Sequence, residues 1–140
     1  GCPVLDAPVC GADGRTYPWG ETAPEPGRHA SFGEGALPSP VDQHPESASA
    51  YGVLDLSGNV WEWCQDQYDQ DFYPRSSPRN PLCAGGDPRY RVARGGAVGY
   101  SAFTLRTTYR GWNLPETRAL SYGFRCAVDA SRFRQRKKGG

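Results

Sequence analysis

Residues 51–64, YGVLDLSGNVWEWC, constrain the fold more than any other stretch of the sequence. Val53, Leu54 and Leu56 lead into a Ser57-Gly58-Asn59 turn. Val60, Trp61 and Trp63 then follow as a short aromatic strand, with Glu62 between the two indoles. Elsewhere aliphatic residues are sparse and no long apolar run exists, which excludes a spanning helix and predicts a soluble, loop-rich fold. Taken alone, the run is compatible with a catalytic strand, a metal site or the middle of a core.

The flanking sequence is mostly loop chemistry. The 140 residues fit one domain able to bury a core, and they include 18 glycines and 13 prolines. Residues 1–50 are dominated by Pro, Gly, Ala and Ser and show neither the helical nor the strand period, so they predict irregular loops with one short strand over 15–19. Residues 65–90 return to turn formers. Further strands are predicted over 90–94, where Gly95-Gly96 ends the run, over 101–110, and over 122–128 as the closing strand; nothing reads as a long helix. The formal charge of +1 gives no overall attraction to nucleic acid. The basic stretch SRFRQRKKGG, within residues 131–140, reads as a flexible, solvated tail.

Five cysteines, at 2, 10, 64, 83 and 126, allow two disulfides with one thiol over, an odd count that weakens the case for a secreted disulfide scaffold. No CxxC pair exists, and His29 and His44 lie far from every cysteine, so zinc is not expected. CPVLDAPVCGADGRTY resembles the first half of a Kazal-type protease inhibitor. That family needs a cysteine four positions after the tyrosine, where this chain has Glu21, and without its bridges so small a core lacks its main stabilisation. The inhibitor therefore ranks as a minor alternative, and a local Cys2–Cys10 bridge stays open. The chain begins with Gly, contains no Met and has no signal-peptide pattern, which suggests a processed or excised piece.

Five segments in this order, RTYPWGE (15–21), PVD (40–42), YGVLDLSGNVWEWCQD (51–66), YRVARGG (90–96) and YGFRCAVD (122–129), resemble the sulfatase-modifying-factor family, whose founding member is the formylglycine-generating enzyme. The resemblance implies an α+β, C-type-lectin-like fold: a small twisted antiparallel sheet inside extensive irregular structure. It also implies that residues 1–130 are the C-terminal portion of such a domain. Family members carry an upstream segment ending in a pattern like E-W-E-Y-A-A-R-G, whose final glycine falls on Gly1. The missing upstream segment, removed by a trypsin-like cut, is thus an expected partner of this chain, and the host is expected to be bacterial or archaeal.

The same resemblance implies which chemistry to look for. The formylglycine-generating enzyme holds copper with two cysteines between the RGG turn and the GFR strand, soft thiolates suiting Cu(I). Those positions fall on Tyr100 and Leu105, and the interval contains no cysteine, so no copper is expected. Other branches use a His-rich iron site, which two scattered histidines do not supply.

The interval also resembles the variable segment of proteins diversified by retroelements, which display a hypervariable ligand-binding face on this fold. Arg94-Gly95-Gly96, Leu105-Arg106, Arg110, Pro115, Arg118 and Gly123-Phe124-Arg125 keep the frame, with Leu105, Arg106 and Arg110 read as scaffold. The diversifiable positions fall on Gly99, Tyr100, Ser101, Phe103, Thr104, Tyr109, Gly111, Leu114, Thr117, Ala119, Leu120 and Ser121, with Trp112 and Tyr122 added as neighbours. This mixture of Tyr, Phe, Ser and Gly is paratope-like, rigid aromatics giving area and small residues adaptability. An ordinary divergent member, whose loop merely tolerates change, is the plainer reading.

For metal, the resemblance places structural Ca²⁺ on Asp55, Gly58, Val60 and Glu62, two carboxylates and two carbonyls being hard oxygen donors. The plainer reading pairs Glu62 with Arg94 or Arg125. A second family calcium site near Ser31 is expected to be lost, since its acidic ligand is missing. Relatives also suggest a Cys2–Cys126 disulfide, with Cys64–Cys83 as an alternative. The reading favoured is a non-catalytic ligand-binding module whose face spans 97–122 and takes a protein or small-molecule ligand. The alternative is an oxidoreductase acting on thiol substrates with residues outside this chain.

Overall fold

The computed structural model describes residues 14–128; the expectations placed on Cys2, Cys10 and the tail 131–140 lie outside them. Four strands form one sheet in the order β3-β2-β1-β4: β1 is Trp61–Tyr68, β2 Asp87–Arg94, β3 Gly111–Asn113 and β4 Tyr122–Gly123. β1 and β2 pair antiparallel, with Glu62 opposite Arg94 and Trp63 opposite Ala93. β3 joins the other edge of β2 antiparallel, whereas β4 runs parallel to β1, so the sheet is mixed rather than purely antiparallel. Among the described residues the helical elements are short 3-10 turns at Pro45–Ser47, Tyr73–Arg75 and Ala102–Leu105.

The aromatic strand is longer than its apolar letters. Beyond Trp63 the partners slip register twice, between Trp63 and Gln67 and again between Gln67 and Tyr68. Such bulges sharpen the local twist. Here Cys83 holds the distorted stretch by two main-chain bonds: the Gln67 amide donates to its carbonyl (2.8 Å), and its own amide donates to the Asp66 carboxylate (3.1 Å). Cys83 is buried, so the loop between β1 and β2 is pinned from inside. Cys64 and Cys83 are thiols rather than a disulfide pair, and Cys126 is an exposed thiol.

The buried apolar residues gather in two small cores. Trp61, Ala93 and Ala97 form one, covered by Trp63, Tyr109 and Tyr122. Ala30, Phe32 and Leu105 form the other, covered by Tyr17, Trp19 and Ala102. The turn before β1 ties them together. Gly58 donates its amide to the Gly95 carbonyl (2.8 Å), Asn59 donates to the Ser31 carbonyl (2.7 Å), and Val98 donates to the Asn59 carbonyl (3.0 Å). The Asn59 side chain copies a backbone pair, accepting from the Ser39 amide and donating to the Ser39 carbonyl. Gly58 has φ of +84°, and a Cβ there would stand 2.5 Å from that of Ala30, so close approach and left-handed backbone both demand glycine.

Three predicted strands are corrected. Residues 101–110 form a 3-10 turn and loop, because adjacent Thr104 and Leu105 are both buried, which the two-residue period of a strand does not allow. Residues 15–19 contribute only a bridge between Tyr17 and Gly20, since Pro18 has no amide proton to extend a ladder. The closing strand stops at Gly123, and Phe124 beyond it is exposed. β3 has no counterpart among the predicted strands: three residues, Gly-Trp-Asn, are too few to carry a period.

Candidate functional site

The 97–122 segment leaves the sheet through two left-handed glycines, Gly95 and Gly96. Gly96 lies against Thr104 and Leu105, Ala97 and Val98 are buried, and Gly99 and Tyr100 exchange main-chain bonds with Gly33 (both 2.9 Å). This strapping presents Tyr100 at the surface, 40% exposed, with its ring edge-on to Trp61 at 5.3 Å and 85°. Tyr109 lies 5.8 Å from the same indole and meets Phe103 in a T-shaped pair at 5.5 Å. Phe103 is 56% exposed, and the Arg106 guanidinium stacks over its ring at 4.7 Å. Gly111 sits so near the Trp61 ring that a Cβ would come within 3.3 Å. Tyr100, Phe103 and Tyr109 therefore make one aromatic cluster whose floor is Trp61, with Ser101 exposed beside it.

The other positions assigned to the face do not all join this cluster. Thr104 is buried, its hydroxyl donating to the Ser101 carbonyl (2.9 Å). Trp112 follows Gly111 along β3, so strand alternation sends it to the opposite face of the sheet, where it meets Tyr68 and Tyr90. Leu114, Thr117, Ala119, Leu120 and Ser121 lie in the loop leading into β4, with Leu120 80% exposed. Ser121 accepts the Trp61 amide (2.7 Å), and Tyr122 packs on Trp63 at 4.9 Å. Of the expected scaffold residues, Leu105 is fully buried, while Arg106 and Arg110 lie against aromatic rings.

Asp55, Gly58, Val60 and Glu62 line a single cleft of about 410 Å³, together with Val41, Asp42, Asn59, Phe124 and Arg125 among others. The donor kinds suit a hard cation, but both carboxylates are already engaged. Arg125 donates Nε to both Glu62 oxygens (2.8 Å each), and its Nη atoms reach the Leu54 carbonyl (3.2 Å) and the Asp55 carbonyl (2.8 Å). Asp55 Oδ2 accepts the Asp42 amide (3.0 Å). A calcium ion on these four residues has to take Glu62 from Arg125. Ser31 Oγ contacts buried His44 Nε2 (3.1 Å) and donates to Ser39 Oγ (2.9 Å).

Sequence reading missed the aromatic residues that gather around Trp112. Tyr68 and Tyr90 are distant in sequence and meet on Trp112 through strand pairing, and Tyr73 joins them through the Arg110 guanidinium. Asp87, at the start of β2, is held down to a pKa of about 2 by hydrogen bonds from the Arg89 side chain and amide. Among the described residues no helix is long and apolar enough to cross a membrane.

The model of the sulfatase-modifying factor enzyme 1-like domain matches residues 6–130. A hercynine oxygenase of Mycolicibacterium thermoresistibile is 36% identical over 84% of this chain and 28% of its own length. A formylglycine-generating enzyme of Thermomonospora curvata is 31% identical over 85% of this chain and 45% of its own. The chain thus spans less than half of either curated relative. Among solved structures, Treponema denticola variable protein 1 superposes with a TM-score of 0.60 at 31% identity, covering 69% of this chain and 34% of that one. The loop-rich, C-type-lectin-like architecture expected from the sequence is the fold this chain shares with that structural neighbour.

Proposed function

This chain belongs to the family of sulfatase-modifying factor enzyme 1-like domains, and from that premise we propose that it acts by binding a ligand rather than by copper oxidation. The observation that carries the reading is the cluster of Tyr100, Phe103 and Tyr109. Exposed Tyr100 is braced edge-on against buried Trp61, Tyr109 lies tilted on the same indole and exposed Phe103 packs edge-on to Tyr109, which holds large contact area at low conformational cost. The small neighbours Gly99 and Ser101 leave room for a partner to shape itself around those rings. Similarity to a variable protein supports a face whose residues change while Arg94-Gly95-Gly96 and Gly123-Phe124-Arg125 persist. Its ligand is a protein or a small molecule.

Sequencing the same gene from sibling strains tests this. Substitutions should gather at Tyr100, Ser101, Phe103, Tyr109, Leu114, Thr117, Ala119, Leu120 and Ser121, and spare Trp61, Leu105, Pro115 and Arg118. Changes spread evenly over the exposed surface would refute a diversified face.

Two relatives are named as an oxygenase and as a formylglycine-generating enzyme, which keeps a thiol-directed oxidoreductase as the second reading, with its reactive residues outside this chain. Oxygen uptake dependent on a thiol substrate, measured on the intact parent protein, decides for it.

Calcium belongs to the same proposal as a structural ion in the cleft of Asp55, Gly58, Val60 and Glu62. Its support is that all four residues line one cavity. When bound it would supply positive charge to the Asp55 and Glu62 carboxylates, and its binding requires Arg125 to release Glu62.

A further inference from the structure

The face of the sheet opposite Trp61 carries a second aromatic group. Tyr68 on β1, Tyr90 on β2 and Trp112 on β3 meet across three strands, with ring centroids 5.2 Å apart for Tyr68–Trp112 and 4.6 Å for Tyr90–Trp112. Trp112 stays 47% exposed, as does Tyr73 on the adjoining 3-10 turn. The Arg110 guanidinium lies 4.6 Å from the Tyr73 ring and 5.3 Å from the Tyr68 ring. Trp, Tyr and Arg are the side chains that concentrate binding energy at protein interfaces.

Charge narrows the choice of occupant. Arg89 pairs with Asp87 and Arg75 with Asp69, so those two cations are neutralised in place. Arg110 is met by two ring faces and the Asp69 carbonyl, with no carboxylate paired to it among the described residues. A cationic ligand would find the ring faces already carrying guanidinium groups. A nucleic-acid strand needs a continuous positive track, and Asp69 and Asp87 break it. A single carboxylate beside an apolar side chain fits both the Arg110 guanidinium and the half-exposed indole.

We propose that this face docks an acidic, aromatic-containing peptide segment of a protein partner, its carboxylate on Arg110 and its apolar side chain on Trp112. The site takes Arg110 and Trp112 from the 97–122 segment but none of the Tyr100, Phe103 and Tyr109 cluster, so the two faces are tested separately.

A fluorescein-labelled peptide alternating glutamate and phenylalanine, titrated with the full chain and followed by anisotropy, tests it. Saturable binding is expected, weakened about tenfold or more by Trp112→Ala and by Arg110→Gln, and unchanged by Tyr100→Ala. The same peptide with glutamine for glutamate, and oligo(dT), should each bind markedly more weakly. Far-UV circular dichroism checks each variant, and should Arg110→Gln lose its fold, half-exposed Trp112→Ala carries the test together with the glutamine peptide. No saturable binding, glutamine peptide or oligo(dT) binding as tightly, or sensitivity to Tyr100→Ala instead of Trp112→Ala would overturn the proposal.

Discussion

Arg125 grips Glu62 across 63 residues of sequence, Nε lying 2.8 Å from each carboxylate oxygen and Nη2 2.7 Å from Oε1. The pair closes the cleft where calcium is proposed, so guanidinium and ion compete for one carboxylate. Arg125→Gln should therefore raise calcium affinity while lowering stability without calcium by about 1 kcal/mol, the pair being only partly buried. Melting curves with calcium and with chelator measure both. If calcium leaves the melting temperature of wild type and variant alike untouched, the cleft is not a calcium site and Arg125 is its resident cation.

Core and face can be separated by two neighbouring truncations. Leu105 is fully buried, with its carbonyl accepting the Ser57 hydroxyl at 2.8 Å, so Leu105→Ala should cost about 2–5 kcal/mol. Phe103, two residues earlier, is 56% exposed, and Phe103→Ala should cost about 1 kcal/mol or less. Urea denaturation reads the contrast. Equal losses would mean that Phe103 belongs to the core and contradict its place on a binding face.

How far the sequence discloses this arrangement depends on distance along the chain. Trp61 as a core anchor is legible because the turn before it and the alternation around it are local. The region 101–110 misleads for the same local reason: Phe103, Leu105 and Thr107 alternate as in a strand, yet Leu105 turns into the core beside Thr104 through a 3-10 turn. The parallel pairing of β4 with β1 and the gathering of Tyr68, Tyr90 and Trp112 depend on chain returns that no window of sequence contains. Asp55, Gly58, Val60 and Glu62 are close in sequence and do line one cleft. The cation facing them comes from the far end of the domain.

Gly58 tests whether the turn before β1 organises both cores. A Cβ there meets that of Ala30 at 2.5 Å and the Ser31 carbonyl at 3.0 Å, on a backbone with φ of +84°. Gly58→Ala combines overpacking with left-handed strain and should cost about 2–5 kcal/mol. Gly99→Ala is the control: it has a similar φ of +80° but open space around it, so it should lose only the conformational part, about 1 kcal/mol. Thermal unfolding of the two variants gives the difference. Equal destabilisation would remove close packing at Gly58 from the account.

Asp87 offers a titration beside the Trp112 face. Its carboxyl is held at about 2, below the ordinary 3.8, chiefly by the Arg89 side chain and then by the Arg89 amide. A lowered folded-state pKa means that this pair stabilises the fold above the ordinary aspartate range and that the contribution disappears as pH falls toward 2. Asp87 lies opposite Tyr68 in the β1–β2 register, so protonation should loosen the end of the sheet that carries Tyr68 and Tyr90 before it disturbs the Trp61 core. An NMR titration of the Asp87 carboxyl is expected to give a midpoint near 2 in the wild type and a clearly higher one in Arg89→Gln. A wild-type midpoint in the ordinary range, or one that Arg89→Gln leaves in place, would show that Arg89 does not hold the carboxylate. The end of β2 would then owe its order to the packing of Tyr90 on Trp112 instead.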